Sequence, residues 1–210
     1  MRGLLYLLSL FGIFTFSGIN SAHAVEKTIL VLGDSLTAGF GLDARDSFPS
    51  KLEMALQNAG HKVRVINGGV SGDTSAGGLA RLGWLMQDRP DLVIVELGAN
   101  DALRGQPPSD TKHNLDQIIH KLKADGVGVL LAGMRAPPNM GKAYEREFNA
   151  IYPDLAHIHD IPLYGFFLDG AIQKPGLMQQ DGMHPNADGV ALIVERILPL
   201  VEDALRKEQT

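Results

Sequence analysis

The chain has 210 residues, 45% of them hydrophobic and 20% charged, with 24 Gly, 11 Pro and no Cys, a globular composition that excludes collagen, coiled coil and intrinsic disorder. Lys and Arg number 19 against 24 Asp and Glu, a net charge of −5, so no basic surface is available to neutralise nucleic-acid phosphates or coat an anionic membrane. Without cysteine there is no disulfide, thiolate metal site, iron–sulfur cluster, lipid-modified N-terminal Cys or Cys nucleophile; covalent chemistry falls to Ser, Thr, Lys or a carboxylate.

Residues 1–24 carry Arg2, an apolar run from Leu4 to Phe16, then Gly18 and Asn20, and end in Ala22-His23-Ala24 with small residues three and one before a cut. This is the pattern of a secretory signal peptide, and the apolar run is shorter than the roughly 20 residues that span a bilayer. The mature chain is expected to start at Val25 as one soluble domain over 25–210, located in the periplasm, with full secretion as the alternative. From there, apolar β-rich runs at Ile29–Leu32, Val63–Ile66, Leu92–Leu97, Val127–Leu131 and, more weakly, Pro162–Phe167 alternate with segments of helical period. Phe48–Ala59 starts near the possible caps Asp46 and Ser47, sets Leu52 and Leu56 on one face and stops at Gly60. Thr74–Asp88 ends before Pro90, Asp110–Asp125 aligns Leu115, Ile118, Ile119 and Leu122 and stops at Gly126, and Lys142–Ile158 and Ala187–Arg206 complete the series. Continuous Val/Ile/Leu strands, each followed by a helix, predict a parallel sheet covered on both faces. Five strands favour a three-layer α/β/α domain with the flavodoxin-like order 2-1-3-4-5 over the six-strand Rossmann arrangement.

Ligands of open parallel sheets bind beyond the carboxyl ends of the strands, at the switch point of the strand order. Past the first strand stands Gly33-Asp34-Ser35, past the second Ser71-Gly72-Asp73 in a glycine-rich loop, past the third Gly98-Ala99-Asn100-Asp101. In a 2-1-3 order these loops are neighbours, and a strand spacing of roughly 4.8 Å puts Ser35 within side-chain reach of the other two. A hydroxyl between a glycine-rich backbone and a carboxamide supplies the parts for attack on a carbonyl and for holding the resulting oxyanion. The hydroxyl needs a base, and His184 sits in a comparable loop, Asp181-Gly182-Met183-His184-Pro185. The three-residue spacing lets Asp181 meet Nδ1 of His184 and leave Nε2 for Ser35.

GDSLTAG at Gly33–Gly39, the Gly72 loop, GAND at Gly98–Asp101 and DGMHP at Asp181–Pro185 resemble, in order, the four blocks of the SGNH (GDSL) hydrolases, across essentially the whole mature chain. SGDTSAGGLARL at Ser71–Leu82, VELGANDALRG at Val95–Gly105 and FNAIYPDLA from Phe148 are most similar to its bacterial periplasmic branch of thioesterases, arylesterases and lysophospholipases. The resemblance implies Ser35 as nucleophile and Asp181 and His184 as the other triad members. It also implies the N–H groups of Ser35 and Gly72 with the Asn100 side chain as oxyanion hole, and a small ester or thioester as substrate, with no cofactor and no metal. The chain is expected as a monomer, with no nucleic-acid partner and no stable membrane anchor once the leader is cut. Two rival readings are a carbohydrate O-acetylesterase and a non-catalytic flavodoxin-like module binding FMN or a small anion at the same edge.

The loop Met134–Met140, two Met around a Pro pair, is expected to wall an acyl groove together with Leu103, with Arg104 or Arg135 at its mouth and Met140 as a wall residue. Asp34, Asp73 and Asp101 are read as acceptors that fix loops. Trp84, with Leu82, Leu85 and Met86, is read as core, His61, His113 and His120 as solvated, and His157 and His159 as a helix end rather than a metal pair.

Overall fold

The five apolar runs become the strands of one parallel sheet in the computed structural model, which describes residues 26–207; the expected signal peptide at 1–24 lies outside the described residues. The strands are β1 (Lys27–Gly33), β2 (Val63–Gly69), β3 (Leu92–Glu96), β4 (Gly128–Ala132) and β5 (Leu163–Tyr164), in the order β2-β1-β3-β4-β5. Every pairing is parallel, as the sequence predicts. The principal helices are α2 (Phe48–Asn58), α3 (Ser75–Leu85), α5 (Pro108–Ala124), α6 (Lys142–His159) and α7 (Ala187–Lys207), with two short helices, α1 (Ser35–Ala38) and α4 (Ala99–Leu103), at strand ends.

Right-handed crossovers decide which face each helix covers. The step from β1 to β2 runs one way along the sheet and all later steps run the other, so α2 lies on one face while α3, α5 and α6 stack side by side on the opposite one. The last helix, α7, returns to pack against α2. With both faces covered, every residue of β3 and β4 is buried, and Ile29 to Leu32 of β1 are fully buried. Each such aliphatic side chain contributes roughly 1.5–3 kcal/mol. On the α2 side Phe48 meets Phe167 edge to face, ring centroids 5.0 Å apart; on the other, Leu115, Ile118, Ile119 and Leu122 of α5 are fully buried.

Three details differ from the sequence reading. The fifth strand shrinks to two residues, because the chain leaves the sheet at Gly165 after Tyr164 accepts the Gly133 N–H at 2.7 Å. Trp84 is not core: the turn of α3 that buries Leu82 and Leu85 sends Trp84 outward, leaving it 70% exposed. His61 bonds Glu202 of α7 at 3.1 Å, and His159 bonds Asp116 of α5 at 2.6 Å.

The peptide at Gly98, between β3 and α4, has φ +115°, and a Cβ there would collide with the Tyr152 hydroxyl, which donates to the Leu97 carbonyl at 2.8 Å. Gly98→Ala is expected to destabilise the fold by about 1–3 kcal/mol in chemical denaturation. The same substitution in a Tyr152→Phe background should cost less, since the collision is then gone.

Candidate active site

The register of the sheet sets the site. Gly33 at the end of β1 pairs with Gly69 of β2 and with Glu96 of β3, so three strands end at one level and their loops lie side by side. Asp34 caps α1 by accepting the Leu36 N–H through Oδ1 at 2.9 Å, which places Ser35 at the first position of that helix. Four residues are too few to carry a hydrophobic period, so α1 was not legible as a helix.

Ser35 Oγ lies 2.9 Å from Nε2 of His184, and Nδ1 of His184 lies 2.6 Å from Oδ2 of Asp181. The other oxygen of Asp181 accepts the backbone N–H groups of Met183 (2.9 Å) and His184 (3.0 Å), closing the turn in which Gly182 has φ +68°. These bonds, led by the His184 N–H, hold the Asp181 carboxyl down at about 2, so it stays an ionised acceptor for the imidazole. The loop thus organises itself from four consecutive residues.

On the opposite side, the Asp73 N–H bonds the Val70 carbonyl at 3.0 Å, with Gly72 at φ +80°. This is a turn whose third position needs the left-handed region, which glycine supplies without strain. Val70 in turn donates to the Gly33 carbonyl at 3.1 Å, anchoring the turn to β1. Among the described residues, the backbone N–H groups of Ser35 and Gly72 have no acceptor. The Asn100 amide bridges the loops: Nδ2 donates to Asp34 Oδ2 and to the Asp73 carbonyl, both at 2.9 Å. Both of its hydrogens are therefore engaged in the resting arrangement. Asp101 accepts Ser75 N–H (2.9 Å) and Ser75 Oγ–H (2.5 Å), pinning the start of α3. Asp34, Asp73 and Asp101 all act as the loop-fixing acceptors the sequence indicates.

Two buried acids lie beneath Ser35. Burial pushes the Asp34 carboxyl up to about 6 against the opposing pull of the Leu36 N–H, the His184 charge and Asn100. Glu96, fully buried at the end of β3, is raised well above the ordinary carboxylate range by burial and by the nearby Asp34. One of its oxygens accepts the Asp34 N–H at 3.4 Å and the other has no partner.

A cavity of about 650 Å³ opens over Ser35 and His184, walled by apolar side chains including Phe40, Leu103, Met134, Phe166, Ile172 and Met183. Arg135 lines it, its guanidinium 4.8 Å from the centre of the Phe166 ring. Two expected groove residues stand elsewhere. Met140 is not in the lining: the 3₁₀ turn Pro138–Met140 carries its methyl toward Gly105 instead. Arg104 also stands outside the lining and donates to the Gly72 carbonyl at 2.8 Å, which makes it a brace of the glycine loop rather than a free cation at the mouth. The sequence reading passed over Phe40, whose ring lies 4.7 Å from the His184 ring. It also passed over Gln179, which donates to the Phe40 (2.8 Å) and Pro185 (3.0 Å) carbonyls and so joins the two loops. The one available signal was an aromatic directly after the GDSLTAG block.

The family model described as GDSL-like Lipase/Acylhydrolase matches residues 31–192. The chain belongs to this family. The arylesterase of Vibrio mimicus is 44% identical over 190 residues, 90% of this chain and 95% of the relative. The Thioesterase 1/protease 1/lysophospholipase L1 of Escherichia coli K12 is 44% identical over 183 residues, 85% and 86% of the two chains. Among solved structures, AlinE4, described as an SGNH-hydrolase family esterase, superposes with a TM-score of 0.73 at 47% identity, covering 86% of this chain and 97% of that one.

The raised Glu96 carboxyl has a measurable consequence. The folded protein keeps its proton over a pH range where the unfolded chain has lost it, so unfolding free energy falls as pH rises from about 4.5 toward the folded value. Glu96→Gln removes this titration. Its stability relative to wild type is expected to climb by up to ~1.4 kcal/mol per pH unit above pH 4.5 in denaturant titrations.

Proposed function

We propose that the chain is a serine hydrolase that cleaves carboxylic esters and thioesters through an acyl-enzyme. The observation that carries this reading is the continuous chain of bonds from Asp181 through His184 to Ser35, 2.6 and 2.9 Å, set beside backbone N–H groups without acceptors and under an apolar cavity. The names of the arylesterase and thioesterase relatives support it.

In this reading His184 Nε2 takes the Ser35 proton as Oγ bonds to the substrate carbonyl carbon. The oxyanion that forms is held by the N–H groups of Ser35 and Gly72 and by Asn100, whose amide shares one of its two hydrogens with the incoming charge. Asp181, ionised, fixes the Nδ1–H tautomer and offsets the imidazolium charge. The intermediate then expels an alkoxide or a thiolate, which takes the proton back from His184, and with the imidazole neutral again it activates water for the same sequence on the acyl-enzyme. Apolar walls around a cavity of about 650 Å³ favour an acyl or aryl group over a bare acetyl on a sugar, which counts against the carbohydrate O-acetylesterase reading. A binding module without turnover leaves the Asp181–His184–Ser35 alignment without a role. We place the mature protein in the periplasm on the leader-like residues 1–24.

The test is hydrolysis of p-nitrophenyl esters and acyl-CoA thioesters of increasing chain length. Ser35→Ala and His184→Ala are each expected to remove nearly all activity, with the double variant little worse than either; additive losses would overturn the assignment. Asn100→Ala should lower kcat by about 10²- to 10³-fold with KM little changed. Ile172→Trp, in the cavity wall, should shift preference to short acyl chains, whereas Met140→Trp, outside the lining, should leave the chain-length profile as it is.

A further inference from the structure

Arg81 lies on the second turn of α3, outside the cavity lining, and nothing in the chemistry above uses it. Its guanidinium makes three bonds, one to each part of the frame around the oxyanion site. Nε donates to Asp73 Oδ2 at 2.7 Å, Nη1 to the Gly68 carbonyl at 2.5 Å and Nη2 to the Gly33 carbonyl at 2.9 Å. Gly33 lies two residues before Ser35, Gly68 is the penultimate residue of β2, and Asp73 directly follows Gly72. The Gly33 carbonyl also accepts the Val70 N–H, so one oxygen joins the strand that carries Ser35, the turn that carries Gly72, and Arg81.

We infer that Arg81 is a positioning residue for the oxyanion hole, its planar fork fixing the separation between the Ser35 and Gly72 N–H groups. The guanidinium suits this task because its donors have fixed relative directions: three acceptors bound to one rigid plane cannot drift apart independently. Lysine has three donors on one nitrogen and cannot reach two carbonyls and a carboxylate spread around a planar fork. The side chain is largely shielded, 21% exposed, and so is its Asp73 partner at 12%, so these bonds are little weakened by solvent. The inference rests on the serine hydrolase reading, since without an oxyanion there is nothing for the frame to position.

A residue that only stabilised the fold would change the fraction folded and leave turnover per folded molecule intact. The experiment therefore measures kcat on a p-nitrophenyl ester per active site, with sites counted by end-point titration with a serine-directed organophosphonate. Arg81→Lys and Arg81→Ala are expected to lower kcat per site by about 10- to 100-fold with KM nearly unchanged, as misplacement of a transition-state contact does. The rate of phosphonate inactivation should fall by a similar factor, because the phosphoryl oxygen occupies the same hole. Added guanidinium ion should restore part of the kcat of Arg81→Ala and none of that of Arg81→Lys, whose side chain fills the space. Wild-type kcat per titrated site in either folded variant overturns the inference. Should Arg81→Ala fail to fold, Arg81→Lys, which keeps the charge opposite Asp73, decides alone. Should both fail, Asp73→Asn, which weakens the Nε anchor, carries the same expectation. Ser35→Ala run in parallel separates the two readings: activity surviving there sinks the hydrolase assignment, whereas a dead Ser35→Ala beside fully active Arg81 variants sinks only the role of Arg81.

Discussion

Gly33 is the point on which the rest of the site depends. Its pairing with Gly69 on one side and Glu96 on the other ends three parallel strands at one height, and its carbonyl receives both Val70 and Arg81. The position tolerates no side chain, because a Cβ would collide with the Thr37 hydroxyl and come within 2.9 Å of the Glu96 carbonyl. Close approach of backbone to backbone is what only glycine permits. Ser35, Gly72 and Asn100 come from loops separated by tens of residues in the chain, and they share a few ångströms of space because this edge is level.

The acids around Ser35 divide by environment. Asp181, surrounded by N–H donors in a surface turn, is held at about 2; Asp34, buried, sits at about 6; Glu96, without any water-facing atom, is pushed further the same way. Moving the Asp34 carboxyl from 3.8 to about 6 corresponds to a cost of roughly 3 kcal/mol at neutral pH. The fold accepts that cost at the residue that both caps the helix carrying Ser35 and holds the Asn100 amide. Destabilised groups concentrated at one edge of an otherwise well-packed sheet are characteristic of a site where geometry is kept at the expense of stability.

The sheet order and the loops that meet were legible because each depends on a short-range signal: unbroken apolar runs, a glycine at a strand end, a carboxylate three residues from a histidine. What was not legible depends on direction. Trp84 shares its segment with Leu82 and Leu85, and only the rotation of α3 shows that it points away from them. Arg104 next to Leu103 reads as a cation at a pocket mouth until the end of α4 turns it onto the Gly72 carbonyl. Met140 reads as an apolar wall until a single 3₁₀ turn removes it. Arg81 and Glu96 carry no signal of their place in the site: besides Asp73, their partners are backbone carbonyls and a buried N–H that are identified only when the strands are in register.

The order in which the site's parts occur along the chain has a consequence for its assembly. The hydroxyl of Ser35 lies near the start of the described residues, whereas His184 directly precedes the α7 segment, and α7 buries Val190, Ile193, Ile197 and Val201 against the sheet and packs on α2. The imidazole thus joins the site from a loop 149 residues after Ser35 in the chain. A chain clipped before Asp181 keeps Ser35 without the imidazole that faces it and leaves bare the apolar surface that α7 covers, so the pairing of Ser35 with His184 and the closing of the core are completed by the same C-terminal stretch.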